Sequence, residues 1–343
     1  MNYKTCWLTL NRACNLRCKW CYARNTGYKV ADDIDYSLAC QIIDLCSDLK
    51  IKHITLIGGE PTIYPNLFDV IDYCHNKKIH CGIVTNGLIF KNNSFVEKLL
   101  NHDVKDVSIS LKGENREAFL NTAKMDKFDD VVQGIKNCIN AGIKVTVSMV
   151  ITEMNVDTFL EGIKLCKSMG VDRFHFSFCN NFNNTGIDTH YLETNNPRLL
   201  IRKFVNHIEE LKKITDNHFS FQNIYPLCIW TDEDYETVFE AGSSYTVCQL
   251  LKKSGLIFDN DGSLIPCNAM YSVKLGKLHD DFVDSESLLE FTNSELIRNA
   301  YKKLCGVPDF SCLKCDKLTK CGGGCVCQWT NYNFDQLINT KEI

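Results

Sequence analysis

The chain has 343 residues, 45% of them hydrophobic and 10% aromatic, so it is long enough for about two globular domains. Its 38 Lys and Arg against 42 Asp and Glu give a net charge of −4, which argues against a nucleic-acid partner and against a polybasic membrane contact. The N-terminus lacks a signal peptide pattern, and no run reaches the roughly 18 apolar residues of a membrane span, so a cytoplasmic location is expected.

The first half of the chain alternates strand-like and helix-like runs. Six short runs rich in β-branched and aromatic residues predict strands at Thr5–Leu10, His53–Ile57, Ile79–Thr85, Val107–Leu111, Ile143–Ile151 and Arg173–Phe178. Helical periods lie between them, one after an expected Asp35 cap and another from Asn155 to Gly170. Six β-α repeats predict a parallel sheet, either doubly wound or curved towards a barrel, with ligands at the carboxyl ends of its strands.

Twenty cysteines favour metal or redox chemistry, because disulfide frameworks belong to short secreted scaffolds. Eleven of them fall into two clusters, at 14–21 and 248–327. The other nine are expected to pack as small hydrophobes: Cys6, Cys40, Cys46, Cys74, Cys81, Cys138, Cys166, Cys179 and Cys228.

The first cluster, Cys14-Asn-Leu-Arg-Cys18-Lys-Trp-Cys21-Tyr22, directly follows the first predicted strand. Three thiolates spaced Cys-x3-Cys-x2-Cys can hold an iron–sulfur cube and leave one iron open. Zinc is the alternative, but zinc sites usually pair Cys-x2-Cys with a second pair elsewhere. The stretch resembles the radical S-adenosylmethionine superfamily, whose open iron binds the cofactor before one electron cleaves it to a 5'-deoxyadenosyl radical. That resemblance implies a partial (β/α)6 TIM-like barrel.

The resemblance extends to the ends of the following strands. Gly58-Gly59-Glu60-Pro61 is similar to the family's GGEP motif, which holds the cofactor's ammonium group, and Thr85-Asn86-Gly87 is similar to its TNG signature. The family implies that Ser110 reaches the ribose. Asn155 is expected to face the cofactor or to cap a helix, and capping alone is a sufficient reason for it. The expected cofactor-binding residues are therefore Tyr22, Gly58, Gly59, Glu60, Pro61, Thr85, Asn86, Ser110 and Asn155.

The fourth strand end departs from the related pattern Ser-Leu-Asp-Gly, because Lys112 replaces the aspartate and a following His-Asp pair is missing. Lys112 is the candidate catalytic residue. It is expected to pair with the cofactor's carboxylate or with an acidic substrate, or to accept a proton if desolvated. A solvated lysine at a strand end is the other interpretation. His175 is expected to be a packed strand residue.

The second half begins with a polar loop at 179–196 and an amphipathic helix from Pro197 to about Leu211. Cys248 is followed by thirteen residues, a hairpin-like Gly262 and, five residues later, Cys267. Then come Cys305, Cys312, Cys315, Cys321, Cys325 and Cys327. This spacing resembles the SPASM extension of radical S-adenosylmethionine enzymes. A zinc ribbon would need paired Cys-x2-Cys units, and the region has one.

The SPASM resemblance implies two auxiliary 4Fe-4S clusters. Cys248, Cys267 and Cys325 would hold the first, and Cys312, Cys315 and Cys321 the second. Cys305 is the candidate fourth ligand of the first cluster, and Cys327 is the only cysteine available at the family's final position.

These features predict a radical SAM partial barrel at 1–214, a bridge at 215–247, a SPASM domain at 248–330 and a tail at 331–343. The expected function is cleavage of S-adenosylmethionine and oxidative modification of a ribosomally made peptide by C–C, C–S or C–O bond formation, because many SPASM members act on peptides. The alternatives are the same chemistry on a protein side chain or a small molecule, such as a sugar or cofactor precursor, and a non-enzymatic iron–sulfur electron carrier.

Two partners are expected. One is a low-potential electron donor such as flavodoxin or ferredoxin. Only 13 residues precede Cys14, too few for a winged leader-binding domain, so a separate leader-binding protein or the bridge is expected to recognise the peptide.

Overall fold

The computed structural model describes residues 3–23, 26–179, 196–222, 225–239, 244–245, 254–304 and 307–329. Its strands are β1 (Thr5–Thr9), β2 (His53–Ile57), β3 (His80–Thr85), β4 (Asp106–Ser110), β5 (Lys144–Ile151), β6 (Arg173–Phe178), β7 (Phe219–Gln222), β8 (Ser244–Tyr245), β9 (Gly255–Phe258), β10 (Ser263–Leu264) and β11 (Gly276–Lys277).

The helices are α1 (Tyr36–Asp48), α2 (Leu67–Asn76), α3 (Asn93–Asn101), α4 (Arg116–Ala123), α5 (Phe128–Asn140), α6 (Phe159–Ser168), α7 (Pro197–Asn206), α8 (Ile208–Thr215), α9 (Asp232–Phe239), α10 (Ser285–Asn293), α11 (Glu295–Leu304), α12 (Leu318–Cys321) and α13 (Val326–Trp329).

The strands form one sheet in the order β11-β10-β9-β1-β2-β3-β4-β5-β6-β7-β8. Strands β1 to β8 run parallel, β9 joins β1 in parallel, and β10 and β11 are antiparallel additions. The six predicted strands are confirmed to within one residue at each end. The predicted α/β class with a parallel sheet is therefore confirmed, and β7 and β8 extend it beyond the six expected strands.

The two faces of the sheet differ in polarity. On β6, Phe174 and Phe176 are buried, and Phe176 meets Phe159 of α6 with ring centroids 5.8 Å apart. The alternate residues His175 and Ser177 are half-buried on the other face. Because strand side chains alternate, the face that packs against the helices is apolar, and the opposite face is more polar.

Three helix predictions have different outcomes. The Asp35 cap is confirmed, since its carboxylate accepts hydrogen bonds from the backbone N–H of Ser37 at 2.8 Å and of Leu38 at 3.2 Å. The helix predicted from Asn155 begins only at Phe159. The helix predicted from Pro197 is two helices, because α7 ends at Asn206 and α8 starts at Ile208.

The side chain of Asn155 explains the second difference, and its expected role as a helix cap is wrong. Its Oδ1 accepts from the backbone N–H of Thr152 at 2.8 Å, and its Nδ2 donates to the carbonyl of Val150 at 2.8 Å. The side chain therefore closes the loop after β5. Such local bonds from asparagine to backbone compete with helix formation.

The expected hairpin at Gly262 is confirmed between β9 and β10. Asp259 N–H donates to the carbonyl of Ser263 at 2.8 Å, and Gly262 has a φ of +81°, a conformation that favours glycine. Phe258 of β9 belongs to the same buried core as Leu8 of β1. The C-terminal region therefore continues the sheet and core of the first half. Residues 180–195 of the expected polar loop lie outside the described residues.

In the described part of the chain, no helix is both long and apolar enough to cross a membrane.

Candidate functional site

The cysteine loop, residues 11–23, starts at the carboxyl end of β1 and is anchored through its backbone. Arg17 N–H donates to the carbonyl of Ala123 at 3.1 Å, and Lys19 N–H donates to the carbonyl of Thr122 at 3.0 Å. Both acceptors lie at the C-terminal end of α4. These two backbone hydrogen bonds thus anchor the loop to the end of α4.

Gly58 and Gly59 brace this loop from the end of β2. Gly59 N–H donates to the carbonyl of Asn11 at 2.9 Å, and Glu60 N–H donates to the carbonyl of Ala13 at 2.8 Å. A Cβ on Gly59 would overlap the carbonyl oxygens of Ala13 and Arg12. In this structure the two glycines therefore permit close approach to the cysteine loop itself.

The three thiols of Cys14, Cys18 and Cys21 share one electrostatic environment. Burial raises the pKa of Cys14 to about 12, the backbone N–H of Leu16 opposes that rise, and the other two thiols add to it. That N–H lies 3.4 Å from the Cys14 sulfur. Burial also raises the pKa of Cys18, and the nearby Lys112 ammonium lowers it.

These residues fit an iron–sulfur cluster. N–H···S hydrogen bonds and a nearby cation both stabilise sulfur that carries negative charge, and both tune a cluster's potential. Among the described residues, no three or more His, Cys, Asp or Glu side chains are grouped as they would be around a metal ion. A cube places its own iron and sulfide atoms between the ligand sulfurs, so its ligands surround a larger volume.

Glu60 is buried with four donors around its carboxylate. Oε1 accepts from the backbone N–H of Thr62 at 3.1 Å and from the hydroxyls of Thr62 and Thr85, each at 2.6 Å. Oε2 accepts from the backbone N–H of Asn86 at 2.7 Å. Burial raises the pKa of Glu60, and the hydrogen bonds from these three residues hold back part of that rise. The carboxylate thus joins the ends of β2 and β3.

Asn86 extends this connection to the cysteine loop. Its Nδ2 donates to Oδ1 of Asn15 at 2.7 Å, and its Oδ1 accepts from the N–H of Leu88 at 3.0 Å. The GGEP-like and TNG-like stretches are therefore brought together on the cysteine loop, as expected for one site. Pro61 is buried at the start of a short turn beside Glu60.

Ser110 and Lys112 approach the site from β4. The Ser110 hydroxyl lies 3.0 Å from that of Ser148 on β5, which is in register with His175 on β6. Lys112 is half-buried within electrostatic range of Cys18. The fully solvated interpretation of Lys112 does not fit this position. Ser148 was not found from the sequence, because its nearness to Ser110 depends on strand register.

His175 is a packed strand residue, as expected. Its ring nitrogens lie 2.8 Å from the Ser220 hydroxyl and 3.1 Å from Oε1 of Gln222. Burial lowers its pKa, and the Gln222 contact opposes that change.

Tyr22 lies between the cysteine loop and the C-terminal cysteines. Burial raises its pKa, Arg12 lowers it, and Cys21, Asp259 and Cys267 raise it further. The ring also packs against a buried cluster made of Ala269, Met270, Cys325, Val326 and Cys327. One residue next to the last loop cysteine therefore contacts both cysteine regions.

A buried ion pair, not found from the sequence, joins the same two regions. Arg12 and Asp259 are each 4% exposed and form a salt bridge, and Lys274 Nζ lies 2.6 Å from the other carboxylate oxygen. The Arg12 guanidinium also stands 4.8 Å from the ring centroid of Tyr271. A charged residue at the end of an apolar strand is the sequence signal that points to Arg12.

The C-terminal cysteines form two groups. Cys325 and Cys327 are buried in one cluster and Cys267 packs against it, and the neighbouring Cys327 thiol lowers the pKa of Cys267. Cys312, Cys315 and Cys321 form the second group on the loop from 310 to 322. Cys248 and Cys305, also predicted as cluster ligands, lie outside the described residues.

Cys228, expected to pack, is instead exposed. It occupies the middle of the short turn Leu227–Ile229, whose two flanking side chains are buried. A turn with three residues per turn directs its middle side chain away from them.

The fold and the site together define an α/β protein that presents a three-cysteine loop at the carboxyl edge of a parallel sheet. Residues 8–166 match the model of the Radical SAM superfamily. Residues 8–166 therefore form a radical SAM domain, and enzymes of this superfamily use S-adenosylmethionine and a 4Fe-4S cluster.

Two curated proteins that are similar in sequence to this chain have different named activities. A probable GTP 3',8-cyclase of Saccharolobus islandicus is 25% identical over 64% of this chain and 70% of its own length. The mycofactocin maturase MftC of Mycolicibacterium smegmatis is 30% identical over 47% of this chain and 41% of its own length.

Two solved structures share the fold across almost the whole chain. Streptococcus suis SuiB bound to its precursor peptide SuiA has a TM-score of 0.73 at 18% identity, covering 95% of this chain and 72% of that one. The enzyme anSMEcpe with bound AdoMet and Cp18Cys peptide has a TM-score of 0.68 at 19% identity, covering 94% and 88%. The second half of this chain therefore has the same fold as these structures.

Proposed function

We propose that this chain cleaves S-adenosylmethionine at a cluster held by Cys14, Cys18 and Cys21, and oxidatively modifies a ribosomally made peptide. When bound, the cluster and S-adenosylmethionine supply a 5'-deoxyadenosyl radical that removes a hydrogen atom from the substrate. A low-potential donor such as flavodoxin or ferredoxin supplies the first electron. Loss of one more electron and a proton from the substrate completes a two-electron oxidation, such as formation of a C–C, C–S or C–O bond.

The observation that carries this proposal is the position of Tyr22, which contacts the cysteine loop and the C-terminal cysteines at once. Auxiliary clusters held by the C-terminal cysteines would then be close enough to the substrate to accept the second electron. The fold shared with two peptide-bound structures and the likeness to a maturase support a peptide substrate.

Residues at the strand ends would hold the cofactor. Lys112, half-buried near Cys18, is placed to attract a carboxylate group and to balance the negative charge of three thiolates. The Ser110 and Ser148 hydroxyls offer neutral hydrogen bonds on the same face of the sheet. Glu60 holds the loops together through four internal donors, and its Oε2, which accepts one of them, has the capacity to accept from the cofactor's ammonium group as well.

A small-molecule substrate is the second candidate, and the relative described as a probable GTP 3',8-cyclase favours it. A protein side chain as substrate is the third. A separate leader-binding protein would serve only the peptide reaction, so stimulation of turnover by such a protein would favour the first candidate.

The test uses anaerobically reconstituted full-length protein with reductant and S-adenosylmethionine. About twelve irons per chain are expected, together with release of 5'-deoxyadenosine. The Cys14→Ala/Cys18→Ala/Cys21→Ala variant should lose about four irons and all cleavage. Cys138→Ala, which removes a buried packing thiol, is the control and should keep both. Cleavage that survives the triple variant would contradict the proposal.

Substrate class is tested by offering the enzyme the short peptides encoded beside its gene. A peptide substrate should lose two hydrogens by mass spectrometry while 5'-deoxyadenosine accumulates in a matching amount. Turnover of small molecules only, with every such peptide unchanged, would reject the peptide proposal and leave the radical chemistry intact.

A further inference from the structure

Cys228 lies beside the C-terminal cysteine loop, although about ninety residues of sequence separate them. Its thiol is exposed and interacts electrostatically with those of Cys321, Cys312 and Cys315. In the described part of the chain, these four cysteines come together from the bridge region and from the 310–322 loop.

Three contacts hold the segment around Cys228 against the C-terminal cysteine loop. The N–H of Leu227, the residue before Cys228, donates to the sulfur of Cys321 at 3.3 Å. Gly324 lies so close that a Cβ there would stand 2.5 Å from the backbone nitrogen of Pro226. Asp232, four residues after Cys228, forms a salt bridge with Lys317. Contacts to the C-terminal cysteine segment therefore flank Cys228 on both sides.

We propose that Cys228 is the fourth thiolate ligand of the auxiliary cluster held by Cys312, Cys315 and Cys321. This inference rests on the proposed function, since it assumes that the C-terminal cysteines hold iron–sulfur clusters. A cube with four protein ligands needs one cysteine more than the loop provides. Cys327, the only cysteine available at the family's final position, is instead buried in the cluster with Cys325, against which Cys267 packs.

The assignment has a consequence for the role of that cluster. With four thiolates, every iron is occupied by protein, so the cluster transfers electrons and does not bind substrate directly. It also brings the bridge region into the cofactor-binding part of the molecule.

The first test needs no substitution. Thiols of the reconstituted full-length protein are alkylated under anaerobic conditions and quantified by mass spectrometry, alongside protein stripped of iron by a chelator. Cys228 should be labelled about tenfold less when iron is present, because an iron-bound thiolate is not free to react. Half-buried Cys40 on α1, whose charged neighbours are Asp44, Lys77 and Asp35, is the control and should be labelled alike in both. Equal labelling of Cys228 would overturn the proposal.

The second test compares iron content and the EPR spectrum of the reduced protein. Cys228→Ala should lose about four irons and the same EPR component as Cys312→Ala, and the double variant should lose no more. Cys40→Ala should keep about twelve. If Cys312→Ala loses iron and Cys228→Ala matches the parent in both readouts, this inference alone fails. If neither loses iron, the auxiliary clusters of the proposed function fail with it, whereas 5'-deoxyadenosine release still reports the cluster at Cys14.

Discussion

Glu60 shows how one side chain can organise a site by joining two strand ends. Its carboxylate collects donors from two different strand ends, and the adjoining backbone bonds to the cysteine loop. The sequence identified the residue through its motif. It could not show the role, because the partners Thr85 and Asn86 are defined only once β2 and β3 lie side by side.

Glu60→Gln should therefore weaken the structure and the cluster together. The amide nitrogen of glutamine cannot accept a hydrogen bond, so at least one donor from Thr62, Thr85 or Asn86 is left unsatisfied, at a cost of about 1–3 kcal/mol. Urea unfolding should show this loss, and iron content should fall. Exposed Glu97→Gln on α3 is the matched control. A Glu60→Gln protein as stable as Glu97→Gln would mean that these bonds contribute little.

A second prediction at the scale of single residues concerns the close contact between Gly59 and the cysteine loop. Gly59→Ala places a methyl group against the carbonyls of Ala13 and Arg12, so the cysteine loop must move, and a loss of about 1–3 kcal/mol is expected with reduced iron binding. The control Gly142→Ala has nothing within 4 Å of the new carbon but a φ of +78°. It should cost about 1 kcal/mol by backbone strain and leave iron binding unchanged. Normal iron content in Gly59→Ala would show that the loop can shift without harm.

His175 should make stability depend on pH. Burial lowers its pKa below the ordinary value of about 6.5, so between the two values the unfolded chain binds more protons than the folded chain. The free energy of unfolding should then decrease as pH falls below about 6.5. His175→Gln should remove part of that dependence, and exposed His218→Gln should not. Identical pH profiles for the two variants would contradict this assignment.

At the scale of elements, the six long parallel strands were predictable because each is a run of β-branched and aromatic residues. The short strands β7 and β8 were not, since stretches of 4 and 2 residues carry no clear periodicity. Helix starts were less predictable where side chains bond locally, as at Asn155. Cys228 was wrongly predicted to be buried, because the apolar residues around it are typical of a protein core.

The Arg12–Asp259 ion pair connects the residues after β1 to the β9–β10 turn, and substitutions of either partner test how much it stabilises the fold. The partners are 247 residues apart, which is why the sequence did not reveal the pair. Asp259→Asn leaves the buried Arg12 charge uncompensated and should cost about 3–5 kcal/mol in urea unfolding. Arg12→Met should cost less, because Lys274 still pairs with Asp259.

The control for this pair is Lys274→Met, which removes a partly exposed partner and should cost about 1 kcal/mol or less. An Asp259→Asn effect no larger than that of Lys274→Met would show that Arg12 does not depend on the carboxylate.

At the scale of the molecule, the cysteine spacing predicted a second cysteine-rich region but not how that region is attached. The expected boundaries treat residues 1–214 as one domain, and those boundaries stay a prediction. In the structure β9 pairs with β1, with Thr5 opposite Gly255, and Lys4 N–H donates to the carbonyl of Ser254 at 2.9 Å. Leu256 and Phe258 enter the same core as the first-half strands.

A fragment of residues 1–247 should therefore fail as an independent unit. Losing β9 exposes the backbone edge of β1 and uncovers buried apolar side chains, and unpaired edges of this kind drive aggregation. Size-exclusion chromatography should show aggregates, whereas co-expression with residues 248–343 should restore a soluble complex of the full chain's size. If the 1–247 fragment is monomeric and unfolds cooperatively at the same urea concentration as the full chain, the first half folds alone and the β1–β9 pairing is an addition to a complete domain.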